Sequence, residues 1–248
     1  MKALVVVDVG NTRIKWGLCQ GDKIAQVATL SPSNPESWNQ QAREWNLVAG
    51  THWVITSVVP AVSDSLASWI MQRKDPVQRL ISPSDLPLKV ALERPERAGI
   101  DRLLDAVAAN HRRPTGRAAI LIDAGSAITV DMVDEMGVFR GGAILPGLRL
   151  MAKSLHEYTA LLPQIEIPAI APAVPGINTI HAMELGIFWA VTGGVLSLIA
   201  AYQKLQTLPA TIFLTGGDGA ILEKEIPGAI LWPTMTLEGI RISAEKKP

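Results

Sequence analysis

The segment that most constrains the fold of this chain is VVVDVGNTRIKW, residues 5–16. An apolar run at residues 3–7 is short enough for one buried strand, and Asp8 stands at its end. Residues 10–12, Gly-Asn-Thr, then favour a turn, and an alternating apolar pattern resumes at Ile14. The pattern predicts a β-hairpin whose bend carries a carboxylate, a glycine, an amide and a hydroxyl.

The groups at this bend suit a phosphate that is bound together with Mg²⁺. Gly10 lets the backbone come close to a bulky ligand, and backbone N–H groups at a turn can bind phosphate oxygens. Asp8 supplies the hard oxygen ligand that hydrated Mg²⁺ accepts, and Lys15 follows the turn. The same residues also suit an ordinary surface turn, so this segment alone leaves both interpretations open.

A second strand that ends in an acid follows in the other half of the chain. Apolar residues 118–122 lead into Asp-Ala-Gly-Ser at 123–126, and each acidic turn opens a three-strand meander, at residues 3–30 and 118–144. This weak internal duplication predicts two similar lobes that face each other, with the two acidic turns meeting in a cleft.

The order of strands and helices predicts an α/β fold. We expect two lobes built on mixed sheets in the order βββαβα, with domains at residues 1–97 and 98–248. One helix begins near Ile100 and carries an apolar stripe. Its acids Asp101 and Asp105 fall on a different, polar face of the helical wheel.

A third turn, Thr-Gly-Gly-Asp-Gly at residues 215–219, follows a short apolar strand. Its glycines suggest backbone that approaches a flat or phosphorylated ligand. Together with the two acidic turns, it describes a nucleotide held between two lobes. The sequence has no P-loop and no Gly-x-Ser-x-Gly elbow, and no two of its four histidines have zinc-ligand spacing.

Charge and composition argue against nucleic-acid and membrane partners. The 23 Lys and Arg residues balance the 23 Asp and Glu residues, so the chain has no net field to attract either. The one cysteine, Cys19, excludes an internal disulfide and suits a reducing cytoplasm. Residues 185–203 are uncharged and about long enough to cross a bilayer, but they stand alone. We expect a buried helix of a large soluble core there.

The chain resembles type III pantothenate kinases, of the actin-like acetate and sugar kinase superfamily, over nearly its whole length. Each motif is weak alone, but their order and spacing make the resemblance specific. The motifs are, in chain order, DVGNTRIK at 8–15, PERAGIDR at 95–102, DAGSAITVD at 123–131, GGAILPGLRLM at 141–151, Leu161-Leu162-Pro163, Asn178-Thr179 with Ala182-Met183 and Gly186, and LTGGDG at 214–219.

The resemblance implies an actin-like (ribonuclease H-like) duplicated α/β fold and an enzyme. The implied activity is ATP-dependent phosphorylation of pantothenate to 4′-phosphopantothenate, the first step of coenzyme A biosynthesis. The resemblance also implies ATP with Mg²⁺, a monovalent cation (K⁺ or NH₄⁺), a cytoplasmic location and a homodimer with the substrate bound near the subunit interface.

The resemblance assigns roles to residues by position. The implied ATP-binding residues are Asp8, Val9, Gly10, Asn11, Thr12, Arg13, Ile14, Lys15 and Ser126, with Asp8 directed toward Mg²⁺. The implied pantothenate-binding residues are Gly99, Ile100, Asp101, Arg102 and Thr179. Asp101 is implied as the proton acceptor, and Asp123 as a ligand of the monovalent cation.

Elementary physics agrees with these roles. Phosphoryl transfer depends mostly on positioning and charge neutralisation, so a carboxylate base of ordinary pKa is sufficient. Asp101, in the first turn of a helix, would be kept ionised by the positive helix end and by Arg102. Simpler interpretations stay open: a helix-start acid for Asp101, a surface salt bridge for Arg102 and an N-cap for Thr179.

Asp123 makes a further demand on its surroundings. It ends a buried strand, and no Lys or Arg follows it before Arg140. A buried carboxylate is costly unless it is protonated, paired or coordinated to a cation, and the resemblance selects the cation.

Three residues depart from the usual family pattern. Ser126 stands where the family usually has threonine, and it keeps the hydroxyl. Leu92 occupies the position of a tyrosine found in many members, so an aromatic or hydroxyl contact to pantothenate is missing. Ile100 replaces a smaller residue, and we expect it to tighten the substrate pocket.

Two other functions stay open from the sequence. One is a non-catalytic relative that acts as a transcription accessory factor, and the other is a different small-molecule kinase of the superfamily. Charged residues at the motif positions favour an enzyme, because a scaffold does not need them. These are Asp8, Lys15, Asp101, Arg102 and Asp123.

Overall fold

A computed structural model of the protein describes residues 3–32 and 34–245. The chain divides into two compact units: unit 1 is Met1–Arg112 with Thr234–Pro248, and unit 2 is Arg113–Pro233. These boundaries differ from the predicted division between residues 97 and 98. The helix that contains Asp101 stays with unit 1, and the last helix of the chain returns to it.

Unit 1 is built on a mixed sheet. Its elements are, in chain order, β1 (Leu4–Val9), β2 (Ile14–Gln20), β3 (Lys23–Leu30), α1 (Glu36–Glu44), β4 (His52–Ser57), α2 (Pro60–Gln72), β5 (Val77–Leu80), β6 (Lys89–Val90), α3 (Ile100–Arg112) and, after unit 2, α7 (Met235–Ala244). The sheet has the strand order β3-β2-β1-β4-β5. Strand β1 runs antiparallel to β2 and parallel to β4, which confirms the predicted N-terminal meander.

Tryptophans fill one side of the unit 1 sheet. The fully buried Trp16 and Trp53 meet edge to face, with 4.9 Å between ring centroids. Trp69 of α2 packs against both rings. Aromatic pairs of this kind add about 0.5–1.5 kcal/mol beyond the apolar area that they bury. The packing of these rings therefore stabilises the position of β2, the second strand of the N-terminal hairpin.

Helix α7 packs closely on α3 and buries one acid that was predicted on the polar face of α3. A Cβ atom at Gly239 would lie 2.1 Å from the Leu104 carbonyl oxygen, so only glycine permits this approach. Thr236 Oγ1 donates a hydrogen bond of 2.8 Å to Asp105 Oδ1. Asp105, which was predicted on the polar face of the helix, is buried because α7 covers that side of α3.

Unit 2 repeats the same arrangement. Its elements are, in chain order, β7 (Ala119–Ala124), β8 (Ala127–Val133), β9 (Val138–Pro146), α4 (Leu148–Glu157), α5 (Thr179–Gln203), β10 (Thr211–Thr215), α6 (Gly219–Leu222) and β11 (Ala229–Leu231). The five strands of unit 2 itself lie in the order β9-β8-β7-β10-β11, and β7 is antiparallel to β8 and parallel to β10. The order matches that of unit 1 strand for strand, which confirms the predicted duplication.

Helix α5 is buried on one face only. Its buried residues are Met183, Ile187, Phe188, Val191, Thr192, Val195 and Ile199. By length and composition it is the one helix in the described ranges that could cross a membrane, and 33% of its most apolar window is buried. The prediction of a buried helix is therefore confirmed for one side of α5 and wrong for the other, which is exposed in this chain. Trp189, by contrast, is 44% exposed.

Candidate active site

The predicted site residues are distributed over both units. Residues 8–15 and 99–102 belong to unit 1, whereas Asp123, Ser126 and Thr179 belong to unit 2. Within each unit they lie at the ends of strands or at the first turn of a helix. The position of each group of predicted site residues is determined by the local structure around it.

The bend between β1 and β2 presents exposed polar residues on a fixed base. The Gly10 N–H donates a hydrogen bond of 3.0 Å to the Arg13 carbonyl oxygen, which closes the turn. The side chains of residues 11–13 are exposed. At the base of the turn, the Val9 carbonyl oxygen accepts a 3.2 Å hydrogen bond from the Val58 N–H. Backbone hydrogen bonds thus hold the turn in place, and its exposed surface can contact a ligand.

Asp8 lies within β1, one residue before the strand ends. Its register partners are Lys15 of β2 and Thr56 of β4. Because register partners share one face of a sheet, a carboxylate, an ammonium group and a hydroxyl stand in one row there. Val7 and Val9, on either side of Asp8, point to the opposite face, where the tryptophans pack. We call the Asp8, Lys15 and Thr56 row the unit 1 edge.

Asp101 is held by the N-terminus of its own helix. The Arg102 N–H donates a hydrogen bond of 2.9 Å to Asp101 Oδ1. A Cβ atom at Gly99 would lie 2.5 Å from the same oxygen, so the glycine leaves the room that the carboxylate occupies. The half-buried Asp101 side chain therefore sits at the N-terminal end of α3, the positive end of the helix dipole.

Ile100 contributes to the core of unit 1. Its side chain is only 7% exposed. Its neighbours Leu103 and Leu104, on the same helix, are fully buried. The larger side chain at this departure from the family pattern is thus accommodated by core packing. This leaves the backbone of Ile100 as the part that can contact a ligand.

Asp123 occupies the equivalent edge of unit 2. It is the penultimate residue of β7, and its register partners are Thr129 of β8 and Thr215 of β10. The Thr215 side chain is 1% exposed, and its Oγ1 has no hydrogen-bond partner in residues 3–32 and 34–245. We call the Asp123, Thr129 and Thr215 row the unit 2 edge. It offers oxygen atoms where the unit 1 edge has an ammonium group.

Residues 123–126, here called the acidic turn, are the platform on which α4 begins. The Gly147 N–H donates a hydrogen bond of 3.0 Å to the Ser126 carbonyl oxygen. A Cβ atom at Gly147 would lie 2.3 Å from the Gly125 carbonyl oxygen. Only glycine permits this contact, which ties the first residues of α4 to the acidic turn. The Ser126 side chain itself is exposed.

Residues 215–219, here called the glycine turn, pack against the acidic turn backbone to backbone. Gly216 has φ +92°, and a Cβ atom there would lie 2.4 Å from both the Ala124 carbonyl oxygen and Asp123 Oδ1. The Asp218 N–H donates a hydrogen bond of 2.9 Å to the same Ala124 oxygen. The glycine that was predicted for ligand contact is therefore required by the protein itself, whereas Gly217 is exposed.

One ion pair at these turns was missed by the sequence analysis. Arg149 Nη1 of α4 pairs with Asp218 Oδ1 of the glycine turn. The two residues are 69 positions apart, so no local pattern links them. The signal that could have found the pair is that both residues lie inside motifs that carry the resemblance, at 141–151 and 214–219.

Thr179 is the first residue of α5 and does not cap it. The Asn178 side chain accepts a hydrogen bond of 2.9 Å from the His181 N–H, so Asn178 is the N-cap. The N-cap interpretation of Thr179 is therefore wrong. Thr179 instead lines a cavity of about 480 Å³ between α4 and α5. The other lining residues are Met151, Ser154, Leu155, Leu162, Ala182, Met183, Gly186 and Ile187.

Cys19 has no part in this chemistry. It lies half-buried in β2, and burial raises the pKa of its thiol to about 12 although Arg241 opposes that shift. The thiol is therefore protonated at neutral pH and is a poor nucleophile. Among the described residues, no group of three or more His, Cys, Asp and Glu side chains could hold a metal ion.

The family comparison gives one clear match. The model of the family described as "Type III pantothenate kinase" matches residues 4–201. A type III pantothenate kinase of Agathobacter rectalis is 30% identical over 98% of this chain and 97% of that protein. A type III pantothenate kinase of Gluconobacter oxydans is 31% identical over 98% of this chain and 93% of that protein.

Solved structures share the fold at lower identity. A protein of Campylobacter jejuni, described as a Baf family transcriptional activator, has a TM-score of 0.64 at 19% identity, covering 97% of both chains. A 2-dehydro-3-deoxygalactonokinase protein of Sinorhizobium meliloti has a TM-score of 0.59 at 12% identity, covering 97% of this chain and 98% of that one. MreB 5 of Spiroplasma citri has a TM-score of 0.53 at 9% identity, covering 98% of this chain and 96% of that one. These likenesses show the expected α/β, actin-like fold and nothing about activity.

Proposed function

Because the chain belongs to the type III pantothenate kinase family, we propose how its residues carry out the ATP-dependent phosphorylation of pantothenate. The chain is a kinase, and the reaction yields 4′-phosphopantothenate in the first step of coenzyme A biosynthesis. The observation that carries this function is the family match over residues 4–201, which includes both acidic strand ends and the helix start at Asp101.

The hairpin at residues 8–15 binds the phosphates of ATP in this proposal. The exposed residues 11–13 and the backbone of the closed turn supply polar contacts. Mg²⁺ usually binds through one or two carboxylates together with substrate phosphates, so Asp8 is sufficient as its ligand from the protein. Lys15, in the same row, supplies positive charge for the phosphates. The metal, when bound, neutralises charge on the phosphates.

Asp101 acts as the general base. The primary hydroxyl oxygen of pantothenate attacks the γ-phosphorus of ATP, and the bond from that phosphorus to the bridging oxygen breaks as ADP leaves. The hydroxyl proton passes to the Asp101 carboxylate at the N-terminus of α3. The support is the hydrogen bond from the Arg102 N–H and the room beside Gly99.

Pantothenate is held by residues 99–102 and by Thr179. The Thr179 hydroxyl is not used as a cap, and it lines a cavity whose other walls are mostly apolar. A polar hydroxyl beside apolar walls fits a substrate that carries both methyl groups and hydroxyl groups. Arg102 supplies positive charge beside the base, and Gly99 and Ile100 contribute backbone contacts.

Asp123 holds a monovalent cation, K⁺ or NH₄⁺, in this proposal, and Ser126 contacts ATP. The residues of the unit 2 edge fit such an ion, because the Asp123 carboxylate lies in one row with two threonine hydroxyls. One of them, Thr215 Oγ1, is a buried oxygen without a hydrogen-bond partner in the described ranges. The cation, when bound, offsets negative charge near the nucleotide.

The chain acts as a homodimer in the cytoplasm in this proposal. The support for the dimer is the exposed side of α5, which carries no charge from residue 185 to residue 203. Its exposed residues in that range are Gly186, Trp189, Ala190, Ser197, Ala200 and Ala201. An uncharged helix face of small residues and one tryptophan suits close packing against a second copy. The lone cysteine suits a reducing compartment.

A coupled assay of ADP release tests the function directly. The purified chain, with ATP and Mg²⁺, is offered pantothenate beside a panel of other primary alcohols. We expect ADP release with pantothenate and little with the rest. Comparable rates across the panel would contradict pantothenate as the substrate and favour a different small-molecule kinase. No release with any alcohol would favour the non-catalytic alternative.

A further inference from the structure

The ion pair between Arg149 and Asp218 joins two elements of unit 2 beside the acidic turn. The Asp218 side chain is 2% exposed, whereas that of Arg149 is 62% exposed. The arginine thus reaches in from the surface to a carboxylate that is shielded from water. An ionised group at this depth needs a partner, because the free-energy cost of leaving it uncompensated is several kcal/mol.

The backbone around Asp218 is hydrogen-bonded to the acidic turn, so the position of Asp218 affects that turn. The Asp218 N–H is bonded to the Ala124 carbonyl oxygen at 2.9 Å, and Gly216 rests on the same oxygen. Helix α4, which carries Arg149, starts on the Ser126 carbonyl oxygen through Gly147. Helix α4, the acidic turn and the glycine turn therefore form a closed ring of contacts, and the ion pair adds a link between charged side chains to the backbone contacts of this ring.

We propose that Arg149 and Asp218 are positioning residues for ATP, holding the glycine turn in the shape in which its backbone contacts the nucleotide. The proposal rests on the proposed function, because it takes ATP as the ligand of these turns. Neither residue touches the reacting atoms. The buried Asp218 side chain holds the glycine turn in place. Arg149 compensates the negative charge of Asp218 and links the glycine turn to α4.

A second ion pair on the same helix provides a matched control. Lys153 Nζ lies 3.4 Å from Glu157 Oε1, and both side chains are exposed. An exposed pair of this kind contributes little to stability. Replacing Lys153 therefore removes a basic side chain from α4 without touching the glycine turn.

The experiment measures binding of a non-hydrolysable ATP analogue, with Mg²⁺, by calorimetry well below the Tm of each variant. We expect R149A and D218N each to raise the Kd of the ATP analogue roughly tenfold or more. The Kd of the double variant should be no higher than that of the weaker-binding single variant, since the two side chains act as one unit. R149K should recover most of the affinity, and K153A should match the wild type.

Steady-state kinetics separate positioning from a merely structural role. A pair that only stabilises unit 2 would lower the Tm but leave the Kd unchanged in the folded protein. We expect the KM for ATP to rise in R149A and D218N, while the KM for pantothenate stays within about twofold of the wild-type value.

The two proposals fail in different ways. An unchanged analogue Kd in both R149A and D218N, beside normal binding by the wild type, overturns the role of the pair alone. Additive losses in the double variant also overturn it, because they show independent side chains. Absence of analogue binding by the wild-type chain overturns the proposed function and the role of the pair together.

Discussion

At the scale of single residues, the candidate base could be predicted because its contacts are local. The hydrogen bond from the Arg102 N–H and the space beside Gly99 both lie within one turn of chain. A motif that fixes these neighbours also fixes where the Asp101 carboxylate sits. The position of this residue at the start of α3 was therefore predictable from sequence, while its role in the reaction stays a proposal.

Replacement of Asp101 by asparagine tests that role. D101N keeps the volume of the side chain and removes the proton acceptor, so we expect a normal thermal melt and a kcat lower by about 10²–10⁴. The control is E96Q, which removes an exposed acid five residues earlier and should leave kcat unchanged. A kcat for D101N close to the wild-type value would contradict the assignment.

Other residues could not be placed from sequence because distant segments determine their surroundings. Asp105 was predicted on a polar helix face, yet it is buried, and Thr236, 131 positions later, donates a hydrogen bond to it. The Arg149–Asp218 pair depends on α4 meeting the glycine turn, which no local pattern records. Burial by tertiary contacts decides both cases, and a helical wheel cannot report them.

At the scale of elements, the strands were predicted best, because alternation and turn residues are both local signals. The predicted meander at residues 3–30 corresponds to β1, β2 and β3, which span residues 4–30, and the one at 118–144 corresponds to β7, β8 and β9, which span residues 119–146. Helix α5 was predicted at nearly its observed length, but not its exposed side. An uncharged sequence looks the same whether a helix packs on one side or on all sides.

The turn between β8 and β9 contains a carboxylate whose ionisation stabilises the hairpin. Burial alone would raise the pKa of Asp134, but the Val138 N–H, the Arg140 guanidinium and the Met136 N–H outweigh it and hold that pKa below its usual 3.8. A lowered pKa in the folded state means that the stabilisation is present above the pKa of the unfolded chain. It is lost as the pH falls through the folded-state pKa.

The variant D134N should therefore be less stable than the wild type near neutral pH, by roughly 1–2 kcal/mol. The difference should shrink once the pH falls below about 4, where the wild-type carboxylate also becomes neutral. Urea unfolding over a pH series measures it, with E135Q, at the exposed neighbouring residue, as the control. A stability difference that does not change with pH would contradict an ionised Asp134 as its cause.

At the scale of the whole molecule, duplication has placed similar edges in both units and given them different side chains. Asp8 with Lys15 and Thr56 corresponds to Asp123 with Thr129 and Thr215, through the matching strand orders. The first row contains its own positive charge, whereas the second supplies only oxygen atoms. In our proposal, the same backbone therefore binds phosphate with Mg²⁺ in one unit and a monovalent cation in the other.

The unit 2 edge predicts a response to monovalent cations. We expect kcat to be higher in K⁺ or NH₄⁺ than in Na⁺, because the proposed site, formed by the Asp123 carboxylate and threonine hydroxyls, is assigned to the larger ions. D123N should abolish the difference among the three salts while keeping the fold, as checked by thermal melts in each salt. S126A, which removes a neighbouring hydroxyl, should still distinguish K⁺ from Na⁺. Equal wild-type rates in the three salts would overturn the cation site.

The exposed side of α5 predicts that the active species is a homodimer. An uncharged helix face of small residues beside a tryptophan is costly to leave in water, and a second copy of the same face would cover it. W189E places a charge at the centre of this face and should give a monomer by light scattering, with reduced activity. M136E is the control, because Met136 is also exposed but lies in the β8–β9 turn. A wild-type chain that is monomeric and fully active at assay concentration would show that α5 has no such partner.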